Sequence, residues 1–209
     1  MTAKELADTS LALLKDFNVQ PILPALKYAN DGAIEDVLNT NGCAYYQWTI
    51  NLIDIMKPTQ VIELGGAMGV WTICALYNLP LTSKLYSITM SEYGLEFSYI
   101  KDKYTNFYPV IGNDLDLSLW PEDLNWNKTD ILFIDSLHTE EHLRKELDLY
   151  LPLIRKDTLI LLDDIRLPEL LPVWEDIAKG KYGKSECIEK TDPLHYSGFG
   201  CCFIDRGKT

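Results

Sequence analysis

Acidic and imidazole side chains in the C-terminal half of the chain have the types and spacing of an acid–base or metal site. Asp135 and His138 stand together in FIDSLH, and Asp163 and Asp164 follow later in ILLDDI. Each group comes directly after a short apolar run, and adjacent parallel strands bring their carboxyl ends to one edge of a sheet. The three carboxylates would then repel one another unless one is protonated or a cation neutralises them.

A bound cation is the first chemistry that this arrangement suggests. Carboxylate oxygens with open coordination positions suit Mg²⁺, which can hold an acceptor hydroxyl and lower its pKa. We therefore predict a Mg²⁺ site formed by Asp135, Asp163 and Asp164. The alternative is that one aspartate caps a helix and another pairs with a cation such as Arg166.

His138 is the predicted general base, because imidazole titrates near neutrality. Its place just beyond a strand-end aspartate favours a catalytic role, in which we include Asp135. A lone histidine can instead cap a helix or fill a packing position. His142 lies one helical turn further on, but Thr139 stands where H-E-x-x-H requires an acid, which excludes a zinc-protease motif.

A glycine-rich turn follows an earlier apolar run, VIEL. Gly65, Gly66 and Gly69 lack a Cβ and allow the backbone to turn tightly and approach a ligand closely. Their spacing, E-x-G-x-x-x-G, differs from the G-x-G-x-x-G of dinucleotide sites. The carboxylate of Glu63 suits a ligand with an ammonium group and disfavours a diphosphate. An ordinary strand-to-helix turn is the alternative.

Parallel strands and helices are needed to place these groups at one edge. Apolar strands alternating with helices predict an α/β fold: a Rossmann-like, doubly wound, mostly parallel seven-stranded sheet with an N-terminal helical segment. The predicted strands are 60–64, 84–90, 108–111, 130–134, 158–162, 185–190 and 199–204. The predicted helices are 3–17, 31–56, 69–78, 93–104, 139–155 and 168–178.

The glycine turn also carries a family resemblance. VIELGGAMGVWT resembles the first motif of class I S-adenosylmethionine-dependent methyltransferases, whose glycine turn packs against the methionine part of the cofactor. The resemblance implies that Glu63 binds the amino group of S-adenosylmethionine. It also implies that Gly65, Gly66 and Gly69 permit the close approach of this cofactor.

Further cofactor-binding positions follow from the same resemblance. The second strand ends in SITMSE, where Thr89 replaces the acid that family members use for the ribose hydroxyls, and Glu92 is a second candidate. Asn113 and Asp114 resemble the segment that contacts adenine, with a solvated turn as the alternative. Asp135 is included among the cofactor-binding residues.

The IDSLH segment and the later acidic pair resemble one branch of this family, which contains sugar and antibiotic-tailoring O-methyltransferases and cephalosporin-hydroxylase-like proteins. That likeness implies Mg²⁺ on Asp135, Asp163 and Asp164, and His138 as the group that deprotonates the acceptor. Lys156 and Asp157 stand where members of the branch often have a glycine pair.

The expected function is therefore Mg²⁺-assisted O-methylation of a small-molecule hydroxyl, a sugar being the acceptor that the resemblance suggests. A non-catalytic S-adenosylmethionine-binding module and a NAD-dependent oxidoreductase are the alternatives. Residues 46–209 are the predicted methyltransferase domain, and residues 1–45 a helical lid or dimerisation segment, so a homodimer is a candidate assembly.

Composition limits the partners and the compartment. A net charge of −12 over 209 residues disfavours nucleic acid and acidic membrane surfaces. No apolar stretch is long enough to cross a membrane, and the N-terminus lacks the pattern of a secretory signal. The five cysteines form no C-x-x-C pair, which predicts reduced thiols in a cytoplasmic protein.

Overall fold

The computed structural model describes residues 1–13, 42–90, 94–190 and 197–205. The helices are α1 (Ala3–Ala12), α2 (Gly42–Met56), α3 (Val70–Asn78), α4 (Gly94–Lys103), α5 (Glu140–Tyr150) and α6 (Leu171–Ala178). The strands are β1 (Gln60–Leu64), β2 (Lys84–Thr89), β3 (Phe107–Ile111), β4 (Ile131–Ile134), β5 (Leu159–Leu162), β6 (Lys184–Lys190) and β7 (Phe199–Asp205).

The strands form one sheet of seven in the order β3-β2-β1-β4-β5-β7-β6. The first five in this order are parallel neighbours, and β7 runs antiparallel to both β5 and β6. The chain leaves β1 toward β2 on one side and later returns to place β4 on the other. Open α/β sheets bind ligands at such a reversal, beyond the carboxyl ends of the strands. The crevice between β1 and β4 is therefore the expected binding site.

Successive residues of the buried strands face two separate layers of the core. Val61 and Ile131 pack with α1 to α4, whereas Ile62 and Leu132 pack with α5 and α6. Every residue of β1, β4 and β5 is buried, since helices cover both faces of the sheet. Burial on both faces explains why these strands are continuous apolar runs in the sequence.

The predicted fold class is confirmed, and each strand boundary agrees with the prediction to within one residue. Two helices that lie within the described residues are shorter than predicted by three residues or more. The helix predicted over 139–155 ends at Tyr150, because Pro152 cannot donate the next helical hydrogen bond. The helix predicted from residue 168 begins at Leu171, after a turn in which Leu170 N–H donates to Leu167 O at 2.9 Å.

The described part of the N-terminal segment belongs to the core. In α1, Leu6 is buried, and Ser10 accepts a hydrogen bond from Trp48 Nε1 at 2.5 Å. Residues 14–41 lie outside the described residues, so the lid or dimerisation role of the N-terminal segment stays a prediction. None of the helices in the described ranges is long and apolar enough for a membrane span.

Candidate functional site

The glycine turn after β1 is wedged between the ends of β2 and β4. Gly65 and Gly66 donate backbone hydrogen bonds to Ile88 O at 3.1 and 3.0 Å. Gly65 has φ +89°, and a Cβ there would lie 1.9 Å from the carbonyl oxygen of Asp135. No side chain fits in that space, so the glycine is required by the fold at this position.

The other two predicted glycines also approach protein atoms. A Cβ at Gly66 would lie 2.3 Å from the Phe97 ring, and one at Gly69 would lie 2.3 Å from Ile100 Cδ1. Their immediate role is the packing of the turn against α4. Their contact with a cofactor stays a prediction.

Glu63 is a buried carboxyl group at the penultimate position of β1, with 1% of its surface exposed. Its Oε2 accepts a hydrogen bond from Thr72 Oγ1 at 2.5 Å. Burial raises the pKa of Glu63 to about 7, and the charge of Asp135 adds to the shift. A cationic group beside Glu63 would restore the ionised form, as expected for an ammonium ligand.

A small cavity of about 110 Å³ opens beside Glu63. Its walls are Tyr45, Tyr46, Trp71, Asp135, Glu63 and the residues of the glycine turn. Burial, followed by the charges of Asp163 and Asp135, raises the pKa of the Tyr45 hydroxyl well above its usual value. The sequence analysis missed the two tyrosines, since α2 carries no motif that marks them.

A larger cavity of about 510 Å³ adjoins the small one, a volume typical of small-molecule sites. The two cavities share Gly65, Ala67 and Asp135 in their walls. The larger one is further lined by Thr89, Met90, Gly112, Asn113, Asp114, Leu137 and His142. The structure thus brings the predicted ribose and adenine contacts to one cavity next to the glycine turn.

The predicted cofactor-binding residues at this cavity differ in their burial and in the hydrogen bonds that they already make. Asn113 Oδ1 already accepts a hydrogen bond from Leu115 N at 2.9 Å, in a local turn. Thr89 is buried at the end of β2. Glu92, the second predicted ribose contact, lies outside the described residues.

Asp135 and the imidazole of His138 meet at the ends of β4 and β5, together with Asp163 and Asp164; we call these four residues the acidic rim. His138 Nε2 lies 3.1 Å from Asp135 Oδ1 and 3.5 Å from Asp164 Oδ2. The hydrogen bond with Asp135 raises the pKa of His138, and the charges of both aspartates act in the same direction. The ring is 41% exposed, so a bound acceptor could reach it.

Asp163 is the most deeply placed carboxyl group of the acidic rim. Burial raises its pKa well above the usual range, and the charges of Asp135 and Asp164 add to the shift. Asp164 has the rare φ of +55° and accepts a hydrogen bond from the Ser197 hydroxyl. The crowding of these carboxyl groups therefore favours either a proton on Asp163 or a bound cation.

The donor types and the clustered charge of the rim fit a hard cation. In the present conformation, however, Asp135, Asp163 and Asp164 do not bring three ligand oxygens within 4.8 Å of one another. His138 Nε2 instead lies against Asp135 and Asp164. The predicted Mg²⁺ site thus stays a prediction that requires rotation of these side chains.

A different set of side chains does bring its ligand atoms within 4.8 Å of one another. Within the described ranges, Asp114, His142 and Glu146 form the one group of at least three metal-binding side chains whose ligand atoms lie within 4.8 Å of one another. Sequence analysis missed this group. The four-residue spacing of His142 and Glu146 places them on one face of α5, but Asp114 arrives from the loop after β3.

Comparisons with known proteins agree with this geometry. A family model described as a methyltransferase domain matches residues 62–165. Among curated proteins, no sequence matches the chain at a significant level.

Several solved structures share the fold at low sequence identity. The O-methyltransferase TomG of Streptomyces achromogenes, involved in tomaymycin synthesis and solved with S-adenosylmethionine, is 14% identical, covers 98% of this chain and 99% of its own, and has a TM-score of 0.68. An O-methyltransferase of Bacillus cereus, solved with S-adenosylhomocysteine, is 20% identical over 84% of this chain and 92% of its own, with a TM-score of 0.63. A methyltransferase of Geobacter sulfurreducens is 13% identical over 88% of this chain and 89% of its own, with a TM-score of 0.63. At these identities, the likeness to solved structures establishes the fold.

Proposed function

The chain belongs to the class I S-adenosylmethionine-dependent methyltransferases, and on this premise we propose that it methylates a hydroxyl oxygen of a small neutral molecule. One observation carries the proposal. Asp135 lines both adjoining cavities and also belongs to the acidic rim, where His138 can accept a proton. The small cavity suits an amino acid and the larger one a nucleoside. The rim then lies where an acceptor would meet the methyl group.

The acidic rim and the net charge of −12 also bear on the class of acceptor. A carboxylate, a phosphate ester or a coenzyme A thioester would approach Asp135 in the wall of the cavities and the neighbouring Asp164 of the acidic rim. A polyhydroxylated neutral molecule such as a sugar avoids this repulsion and can donate hydrogen bonds to the rim.

The proposed reaction is an in-line displacement at the methyl carbon of the sulfonium. The acceptor oxygen forms the new C–O bond while the C–S bond breaks and leaves a neutral thioether. His138 takes the hydroxyl proton at Nδ1, while Nε2–H donates to Asp135 and lies near Asp164, so that both carboxylates hold the imidazole and stabilise its cationic form. The protein thus orients the acceptor, while the donor carries its own electrophile.

Mg²⁺ fits this proposal through the charges of the acidic rim. Asp135, Asp163 and Asp164 would hold it, and it would lower the pKa of the acceptor hydroxyl. With these carboxylates neutralised, the pKa of His138 would fall, so that more of the imidazole is unprotonated near neutrality.

A metal-dependent change in thermal stability tests the Mg²⁺ proposal. A ligand at ten times its Kd stabilises a protein by about 1.4 kcal/mol, which for a chain of this size corresponds to roughly 3–5 °C in Tm. We expect this increase with MgCl₂, measured by differential scanning fluorimetry, and its loss in Asp163→Asn. Asp123→Asn, at an exposed aspartate, is the control and should retain the increase. An unchanged Tm of the wild type up to millimolar MgCl₂ would remove the metal from the proposal.

The affinity for the cofactor is expected to depend on pH through Glu63. The ligand ammonium favours the ionised form of Glu63. Because the pKa of Glu63 is about 7 in the free protein, binding below that pH must release the proton of this carboxyl group. The ionised fraction rises from about one tenth at pH 6 to about nine tenths at pH 8, so the affinity should rise about tenfold over this range. Calorimetry with S-adenosylhomocysteine measures this change.

Two variants separate Glu63 from other titrating groups. Glu63→Gln should bind more weakly and show no increase between pH 6 and 8, whereas Glu122→Gln, at an exposed position, should behave as the wild type. If the wild type binds equally well at both pH values, Glu63 does not hold the ammonium group.

The activity itself is tested with methyl-labelled S-adenosylmethionine and a panel of neutral polyols, sugars and phenols, with and without Mg²⁺. We expect labelled product and equimolar S-adenosylhomocysteine. Tight cofactor binding without transfer to any acceptor would indicate a non-catalytic binding module. Binding of NADH in place of S-adenosylmethionine would indicate an oxidoreductase.

A further inference from the structure

Beside the larger cavity, one carboxylate of the loop after β3 meets two side chains of α5. His142 Nε2 lies 2.9 Å from Asp114 Oδ1 and 3.8 Å from Glu146 Oε1. The side chains of Asp114, His142 and Glu146 are 13%, 14% and 0% exposed. None of them belongs to the acidic rim, and the proposed methyl transfer assigns no chemistry to His142 or Glu146.

The polar atoms of this group lie mainly against one another. Asp114 Oδ1, His142 Nε2 and both carboxylate oxygens of Glu146 are buried and make no hydrogen bond of normal geometry. Leaving buried carboxylate oxygens without a donor or a counterion is costly, and native structures rarely do so. A cation held by all three side chains at once would remove this cost.

The neighbouring cations of α5 do not serve this purpose. Arg144 pairs with Glu140 at 2.9 Å and Lys145 with Glu141 at 2.6 Å, at exposed or half-buried positions of the helix. Burial and the charge of Asp114 raise the pKa of Glu146 well above its usual value, and a hydrogen bond from Ser136 opposes this shift.

We propose that Asp114, His142 and Glu146 bind a divalent transition metal of the Zn²⁺ type. Zinc takes imidazole nitrogen and carboxylate oxygen at about 2.0–2.2 Å, which places neighbouring ligand atoms of a tetrahedron roughly 3.3 Å apart. The separations of 2.9 and 3.8 Å lie on either side of this value. An imidazole ligand favours such a metal over Mg²⁺ or Ca²⁺, which prefer oxygen.

The metal would connect the cofactor cavity to the core. Asp114 stands in the wall of the larger cavity, and its backbone oxygen accepts a hydrogen bond from the buried Tyr150 hydroxyl at the end of α5. A metal ion joining Asp114 to His142 and Glu146 would add a second link between the same loop and the same helix. The loop that bounds the nucleoside-sized cavity would then be fixed by metal binding.

Direct metal titration of the purified protein tests this site. After treatment with EDTA and removal of the chelator, calorimetry with ZnCl₂ should show one tight equivalent, and Co²⁺ should give the intense visible absorption of a tetrahedral ion. We expect His142→Ala and Glu146→Gln to weaken binding at least 100-fold. Glu146→Gln replaces the buried carboxyl group at nearly constant volume, so it should fold even where His142→Ala does not.

The control His138→Ala separates this site from the acidic rim. It should keep the tight equivalent of Zn²⁺, because His138 lies outside the proposed set. Loss of binding in His138→Ala with retention in Glu146→Gln would place the ion at the rim and overturn the proposal. Absence of tight binding by the wild type would overturn it as well, and would leave Glu146 as a buried protonated carboxyl. Neither readout uses methyl transfer, so the metal site can fail while the proposed activity stands.

Discussion

Gly65→Ala is expected to abolish measurable cofactor binding and to destabilise the protein. The new Cβ would lie 1.9 Å from the Asp135 carbonyl oxygen, on a residue with φ +89°. The left-handed backbone costs about 1–2 kcal/mol for alanine, and overpacking adds about 1–3 kcal/mol. We expect a loss of about 3 kcal/mol in the free energy of unfolding, measured by urea denaturation, and an affinity for S-adenosylhomocysteine at least 100-fold weaker by calorimetry.

Gly180→Ala provides a matched control. Gly180 has a similar φ of +83°, but its Cβ would lie 3.2 Å from Gly183 O, in the turn after α6. This variant should lose only about 1 kcal/mol for the backbone conformation and should bind the ligand as the wild type does. Equal affinities of the two variants would mean that the turn after β1 is not part of the cofactor site.

His138→Ala should lower kcat by about 10²–10⁴-fold, which is the usual contribution of a general base. The affinity for S-adenosylhomocysteine should change less than twofold. The readout is a kcat measurement with the acceptor found in the activity screen, paired with calorimetry. Added imidazole should restore part of the rate, because the small base can enter the space left by the side chain. A parallel loss of cofactor affinity would make His138 a structural residue.

The pH profile gives an independent check on His138. Its pKa is raised above 6.5 by the Asp135 hydrogen bond, and only the unprotonated imidazole can accept the proton. In the absence of added metal, kcat/KM should therefore rise with pH and level off above that raised pKa. Asp135→Asn removes the largest cause of the shift, so the rise should move to lower pH. The rise should be absent in His138→Ala.

The sheet and the acidic rim could be predicted from the sequence for a common reason. Strands buried on both faces are continuous apolar runs, and the first polar residues after each run must emerge at the carboxyl edge. This reasoning placed Asp135 and Asp163 at that edge without knowledge of the strand order. Helix ends were less predictable, since α5 ends at Tyr150 only because Pro152 follows two residues later.

Other parts of the site depend on contacts between distant segments. Tyr45 faces the small cavity only because α2 packs in the same core layer as residues of β1 and β4. Its sequence neighbourhood resembles any amphipathic helix. Glu146 lies between leucines on the buried face of α5, and its partner Asp114 is brought there by the crossover from β3. Periodicity shows that Glu146 is buried but not what it meets.

The shared wall of the two cavities bears on how the enzyme releases its by-product. Asp135 lines both cavities and belongs to the acidic rim. In the proposed binding mode the sulfonium of the donor would lie at their junction and would add a positive charge beside this carboxylate. In that mode, methyl transfer would leave a neutral sulfur and cancel this attraction, while the ammonium proposed to lie beside Glu63 would keep its charge. Turnover would thus lower the affinity for the demethylated by-product. Added salt screens exposed charges and should reduce the difference in affinity between donor and by-product.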